Sequence, residues 1–104
     1  MELLKEKLLA SAKLRTRVVE IEGEKYTVRE VGAVEFAAYG ALLKTDRIKA
    51  TASLVHDCLV DENGAKILTL EEAIEVVGSA RVSMQIVNAI MEVSGFGEKE
   101  PDAS

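Results

Sequence analysis

The sequence predicts a mainly α (α+β) domain, a small bundle of four to five helices with one N-terminal β-hairpin. Three observations carry this expectation. The 104 residues are 48% hydrophobic but only 4% aromatic, with no tryptophan, so the core must be aliphatic. Such a core suits helix-on-helix packing better than a large β-sandwich. Residues Val19 to Val28 alternate apolar and polar on both sides of Gly23-Glu24, which is a hairpin pattern. Ser79 to Gly95 then repeats at helical period and is apolar on two neighbouring faces.

Taken in order, Met1 to Lys13 reads as a helix with Leu4, Leu8 and Ser11/Ala12 in phase. Its apolar stripe is thin, so this arm is either loosely docked or folds on a neighbouring subunit. A hairpin follows over residues 17–30. A two-residue turn at Gly23-Glu24, glycine first as a type II′ turn prefers, pairs Glu22 with Lys25, Ile21 with Tyr26 and Val19 with Val28. The four apolar residues then share one face, and Arg17 falls opposite Glu30. A lone hairpin is marginal in water, so that face must lie on helices.

Ala33 to Lys44 returns to helical period, with Val34, Ala37/Ala38, Ala41 and Leu42 aligned. Gly40 in this run costs about 1 kcal/mol against alanine and marks a place for close helix approach. Thr45 or Asp46 caps the next helix, Arg47 to Leu59, which aligns Ile48, Ala52, Val55 and Leu59. Asp61-Glu62-Asn63-Gly64 is a turn, and Ala65 to Leu68 a short extended piece. Thr69-Leu70-Glu71-Glu72 is a capping box opening a short helix that stops near Gly78. Ser79 caps the last helix, and Gly95 closes it as a left-handed residue. Residues 1–95 thus make one domain, and 96–104 a flexible polar tail.

In the last helix, Val82, Ile86, Ala89, Ile90 and Val93 form one stripe, and Met84, Val87 and Met91 a second. Two arrangements fit: the central helix of a small bundle, or one stripe in the core and the other facing a partner. Arg81 near its start and Glu92 near its end each sit where the helix dipole does not favour their sign. That placement favours protein–protein packing. The candidate protein-binding residues are therefore Arg81, Met84, Val87, Met91 and Glu92, with the charged pair setting register.

The chain has 13 basic and 18 acidic residues, a net charge of −5. Residues 1–60 sum to +1 and residues 61–104 to −6, so the second half repels phosphate backbones. No nucleic-acid or membrane partner is expected, since no apolar run approaches the roughly 18 residues of a span. Cys58 is the sole cysteine; its apolar flanks point to a buried thiol in a reducing compartment. No signal-peptide core is present, which fits a cytoplasmic protein.

Catalytic and metal sets are not assembled. His56, Asp57 and Cys58 are adjacent, and neighbours on a helix face different ways. One histidine and one cysteine cannot make a four-ligand zinc site. DENG lacks the downstream acid of a calcium loop, and VGAVEF and SGFGEK lack the spacing of a phosphate loop. No cofactor or enzymatic activity is expected.

LRTRVVEIEGEKYTVREVGAVEFAAY, LVHDCLVDENGAKILTLEEAIEVV and IVNAIMEVSGFGE together resemble the tail assembly chaperones of long-tailed bacteriophages of the siphophage type. The likeness covers about residues 14–98 and rests on turn and cap signatures. It implies a non-enzymatic morphogenesis factor that coats the tape measure protein before the tail tube polymerises around it. It also implies a homo-oligomer, working in the host cytoplasm and absent from the mature virion. In many relatives a ribosomal frameshift adds a second domain that recruits the tail tube protein; the polar tail fits the unshifted product. The resemblance transfers no individual site residue. The competing expectation is a small acidic monomeric regulator or adaptor.

Overall fold

The computed structural model describes residues 2–96, and the expected tail from residue 97 onward lies outside them. In chain order it contains α1 (Glu2–Ser11), β1 (Thr16–Ile21), β2 (Glu24–Arg29), α2 (Ala33–Leu43), α3 (Arg47–Cys58), β3 (Leu59–Val60), α4 (Leu70–Val77) and α5 (Ala80–Val93). The fold is mainly α with an N-terminal hairpin, as the sequence led us to expect.

Two features of the sheet differ from expectation. The first is its third strand: β3 pairs antiparallel with β2, giving the order β1-β2-β3. The end of the predicted Arg47 to Leu59 helix therefore becomes strand, and Leu59 sits opposite Val28. The second is the register of the hairpin. Ile21 pairs with Glu24 and Val19 with Tyr26, so the turn residues are Glu22 and Gly23 rather than Gly23 and Glu24. Both have positive φ, 52° at Glu22 and 86° at Gly23. This is a type I′ turn, whose twist matches that of the flanking strands and which needs φ > 0 twice. Glutamate tolerates that conformation poorly. Its carboxylate is secured from outside, accepting hydrogen bonds from Gln85 Nε2 at 2.7 Å and Arg81 Nε at 3.2 Å. Arg17 then does not face Glu30. Arg15 takes that place, with the Glu30 amide donating to the Arg15 carbonyl at 2.7 Å.

The slip leaves the inward set intact. Ile21 and Val28 are buried and join Leu54, Val55, Cys58, Ile86, Ile90 and Val93 in one core. Each fully buried aliphatic side chain contributes roughly 1.5–3 kcal/mol relative to exposure. α5 packs on both strands of the hairpin and on α3 and α4, so it is the central helix of the body.

The helix ends form as the sequence indicates. Asp46, not Thr45, caps α3, accepting from the Lys49 amide at 3.0 Å. Thr69 and Glu72 complete the capping box of α4, with bonds of 2.9 and 3.1 Å. Ser79 caps α5. Gly95, with φ 88°, lets the Phe96 amide reach the Met91 carbonyl at 2.8 Å and so closes the helix.

Three readings of helix faces are corrected. Ile48, placed in the inner stripe of α3, is exposed, and Ala50, Leu54 and Cys58 are buried in its stead. The Val34, Ala37/Ala38, Ala41 line of α2 faces outward, with Val34 84% exposed. A side chain added at Gly40 would meet nothing within 4 Å, so no helix approaches there.

Candidate protein-binding surface

α5 turns its Ile86, Ala89, Ile90, Val93 side into the core, while Val82, at the head of the same stripe, is half-buried. The second stripe grades from outside to inside. Met84 is 63% exposed, whereas Val87 and Met91 are half-buried against the core of their own chain. The stripe is thus neither wholly core nor wholly surface. Met84 is the member that presents free apolar area.

The flanking charges are engaged within the chain. Arg81 pairs with Glu22 of the hairpin turn at 3.2 Å, and Glu92 with Arg17 of β1 at 3.4 Å. Both pairs are exposed and individually weak. Their positions explain the unfavourable dipole ends: each side chain reaches the hairpin that α5 covers, Arg81 at its turn and Glu92 at β1. The bonds from Gln85 and Arg81 hold the Glu22 carboxyl below its ordinary range.

A better-shielded pair sits at the start of α2. Arg29 donates two hydrogen bonds to Glu35, at 2.8 and 2.6 Å, and Glu35 also accepts from the Gly32 amide at 3.0 Å. The hydrogen bonds from Arg29 lower the Glu35 carboxyl, and the same contact raises the Arg29 guanidinium. This fork fastens α2 to β2. Val31 is fastened to the far end of α5, its amide donating to Ser94 Oγ at 3.0 Å.

Further apolar surface lies outside α5. Phe36 and Phe96 stack with ring centroids 5.0 Å apart, placing the first residue of the expected tail on α2. Leu3, Leu4, Leu8 and Leu9 of α1 are all exposed, and no residue of that helix is buried.

The candidate catalytic residues do not converge. The His56 Nδ1 donates to the Leu68 carbonyl at 2.8 Å, tying α3 to the segment before α4. Cys58, the last residue of α3, is buried, and burial pushes its thiol up to about 12. Among the described residues no group of His, Cys, Asp and Glu is placed to hold a metal ion. No described helix is long and apolar enough to cross a membrane.

No protein-family model matches the sequence, and no curated protein matches it. Among solved structures, this chain is similar to the bacteriophage HK97 tail assembly chaperone, with a TM-score of 0.65 and 18% identity. The likeness covers 96% of this chain and 100% of that one, so it takes in the arm, hairpin and helices together. The chain therefore has the fold of a phage tail assembly chaperone.

Proposed function

We propose that the protein is a phage tail assembly chaperone, a non-enzymatic factor that binds the tape measure protein and self-associates during tail morphogenesis in the host cytoplasm. The observation that carries this reading is the shared fold, which extends over 96% of the chain rather than one motif. The surface agrees with it. A chain that holds another protein needs accessible apolar area, and Met84, Val34 and the leucines of α1 supply it. In this reading Met84 makes the first contact with a helical segment of the tape measure protein, with Val87 and Met91 lining the floor behind it. Arg81 and Glu92 act through their pairs with Glu22 and Arg17 of the hairpin, holding α5 in position. A frameshifted extension recruiting the tail tube protein belongs to the same proposal.

Co-purification with a co-expressed tape measure protein from the same genome tests the reading. Wild type is expected to retain it and keep it soluble. Met84→Asp is expected to lose it while keeping its circular dichroism and melting temperature. A folded Met84→Asp that binds as wild type removes α5 from the contact. A wild-type chain that stays at 11.3 kDa at every concentration and retains no tape measure protein favours the monomeric regulator instead.

A further inference from the structure

The turn Asp61-Glu62-Asn63-Gly64, which the proposed binding surface does not use, holds a chemically labile pair. An asparagine followed by glycine is open to attack by its own backbone, because glycine has no side chain to keep its amide nitrogen away from the asparagine Cγ. The chain has two asparagines, and both are exposed. Asn63 precedes Gly64 in this turn, whereas Asn88 precedes Ala89 inside α5, where helical hydrogen bonding holds the following amide.

The turn is built on Asp61. Its carbonyl accepts from the Gly64 amide at 2.9 Å, and its amide donates to the Ala65 carbonyl at 2.8 Å. Its side chain adds two more bonds, Oδ1 accepting from the amides of Asn63 at 2.8 Å and Ala65 at 2.9 Å. Gly64, with φ 87°, completes the reversal, and Lys66 comes back opposite Val60. The Gly64 nitrogen is thus held by its proton on the Asp61 carbonyl, in the manner of an amide protected from hydrogen exchange until the structure opens locally.

We propose that Asn63 is a site of spontaneous deamidation, and that the Asp61 turn sets its rate. When the turn opens, hydroxide takes the Gly64 amide proton and the nitrogen forms a bond to Asn63 Cγ. The Cγ–Nδ2 bond breaks, the leaving nitrogen takes a proton from water and departs as ammonia, and a succinimide ring remains. Water then adds to either ring carbonyl and opens the ring to aspartate or isoaspartate. One water is consumed and one ammonia released, with nothing oxidised or reduced. Either product puts a third carboxylate beside Asp61 and Glu62, which edge an open groove with Val18, Lys25 and Thr27 of the hairpin. Isoaspartate also lengthens the main chain by a carbon, which spoils the spacing that the bond from Gly64 to Asp61 needs.

Ageing the purified full chain in warm, mildly alkaline buffer tests this, with peptide mapping by mass spectrometry and labelling by an isoaspartate-specific carboxyl methyltransferase. In urea, where the turn is open, Asn63 is expected to convert far faster than Asn88. In native buffer, conversion at Asn63 should slow by about tenfold or more. Asp61→Ala, folded by circular dichroism, should convert about tenfold faster than native wild type, as two lost bonds of modest net strength imply. Asp61→Asn keeps an acceptor oxygen and should age near the wild-type rate. The comparison of native and unfolded wild type needs no variant, so it still decides the matter where Asp61→Ala fails to fold. Equal rates at Asn63 and Asn88 in urea overturn the site. Equal rates at Asn63 with and without urea, or in wild type and a folded Asp61→Ala, overturn control by the turn.

Discussion

At the scale of single residues, Glu35 shows how a charged side chain can decide the orientation of a helix. It is the only charged residue of α2 and would ordinarily face solvent, yet it turns inward to receive the fork of Arg29. Tyr39, Leu42 and Leu43 follow it inward at helical spacing, and the alanines face out. Glu35→Gln is expected to cost about 1–2 kcal/mol at pH 7, measured by urea unfolding. Its carboxyl lies below the ordinary 4.5 in the folded state, so its contribution is fully present above pH 4.5. That contribution fades as the pH falls through the lowered folded value, and the gap between wild type and variant should close there. A gap that persists unchanged in acid would mean the fork acts by packing alone. Five residues along, Gly40 has open space where a Cβ would stand. Gly40→Ala should therefore stabilise the protein by about 1 kcal/mol, read as a higher urea midpoint.

Among the elements, α5 has two sides that should respond in opposite ways to substitution. Ile90 is fully buried, and Ile90→Ala should cost about 2–5 kcal/mol in urea unfolding. Met84→Asp should change stability by no more than about 0.5 kcal/mol. A large loss at Met84 would place that residue in the core and remove it from the proposed contact. Which elements form was readable from the sequence because their ends carry explicit chemistry: Asp46, Thr69 with Glu72, Ser79 and Gly95 each satisfy helix-end groups. Faces and registers were less readable. In α2 nearly every residue is apolar, so helical period has no contrast from which to choose a side. In the hairpin, registers that differ by two residues bury the same four side chains, and only the turn discriminates between them. Its choice depends on Glu22 meeting Gln85 and Arg81, residues some sixty positions away. β3 is two residues long, too short to carry a period at all. On the candidate surface, alternation could name Met84, Val87 and Met91 as one stripe. It could not say that the hairpin covers the ends of α5 and occupies Arg81 and Glu92.

For the whole molecule, what stands out is the separation of a self-sufficient body from an arm that is not. The body has a single core shared by the hairpin and three helices, while α1 contributes nothing to it. A chain built this way should gain stability from its neighbours. Anything that binds the folded state and not the unfolded one raises the melting temperature with its own concentration, and a second copy is such a ligand. The melting temperature of wild type should therefore rise by roughly a few degrees for each tenfold increase in protein. Leu4→Asp/Leu8→Asp should melt at one temperature throughout, because its body is unchanged and its arm no longer binds. Calorimetry over a hundredfold range of concentration, on wild type and variant, reads both. A wild-type melting point that does not move with concentration would leave the arm without a role in assembly, whatever the body binds.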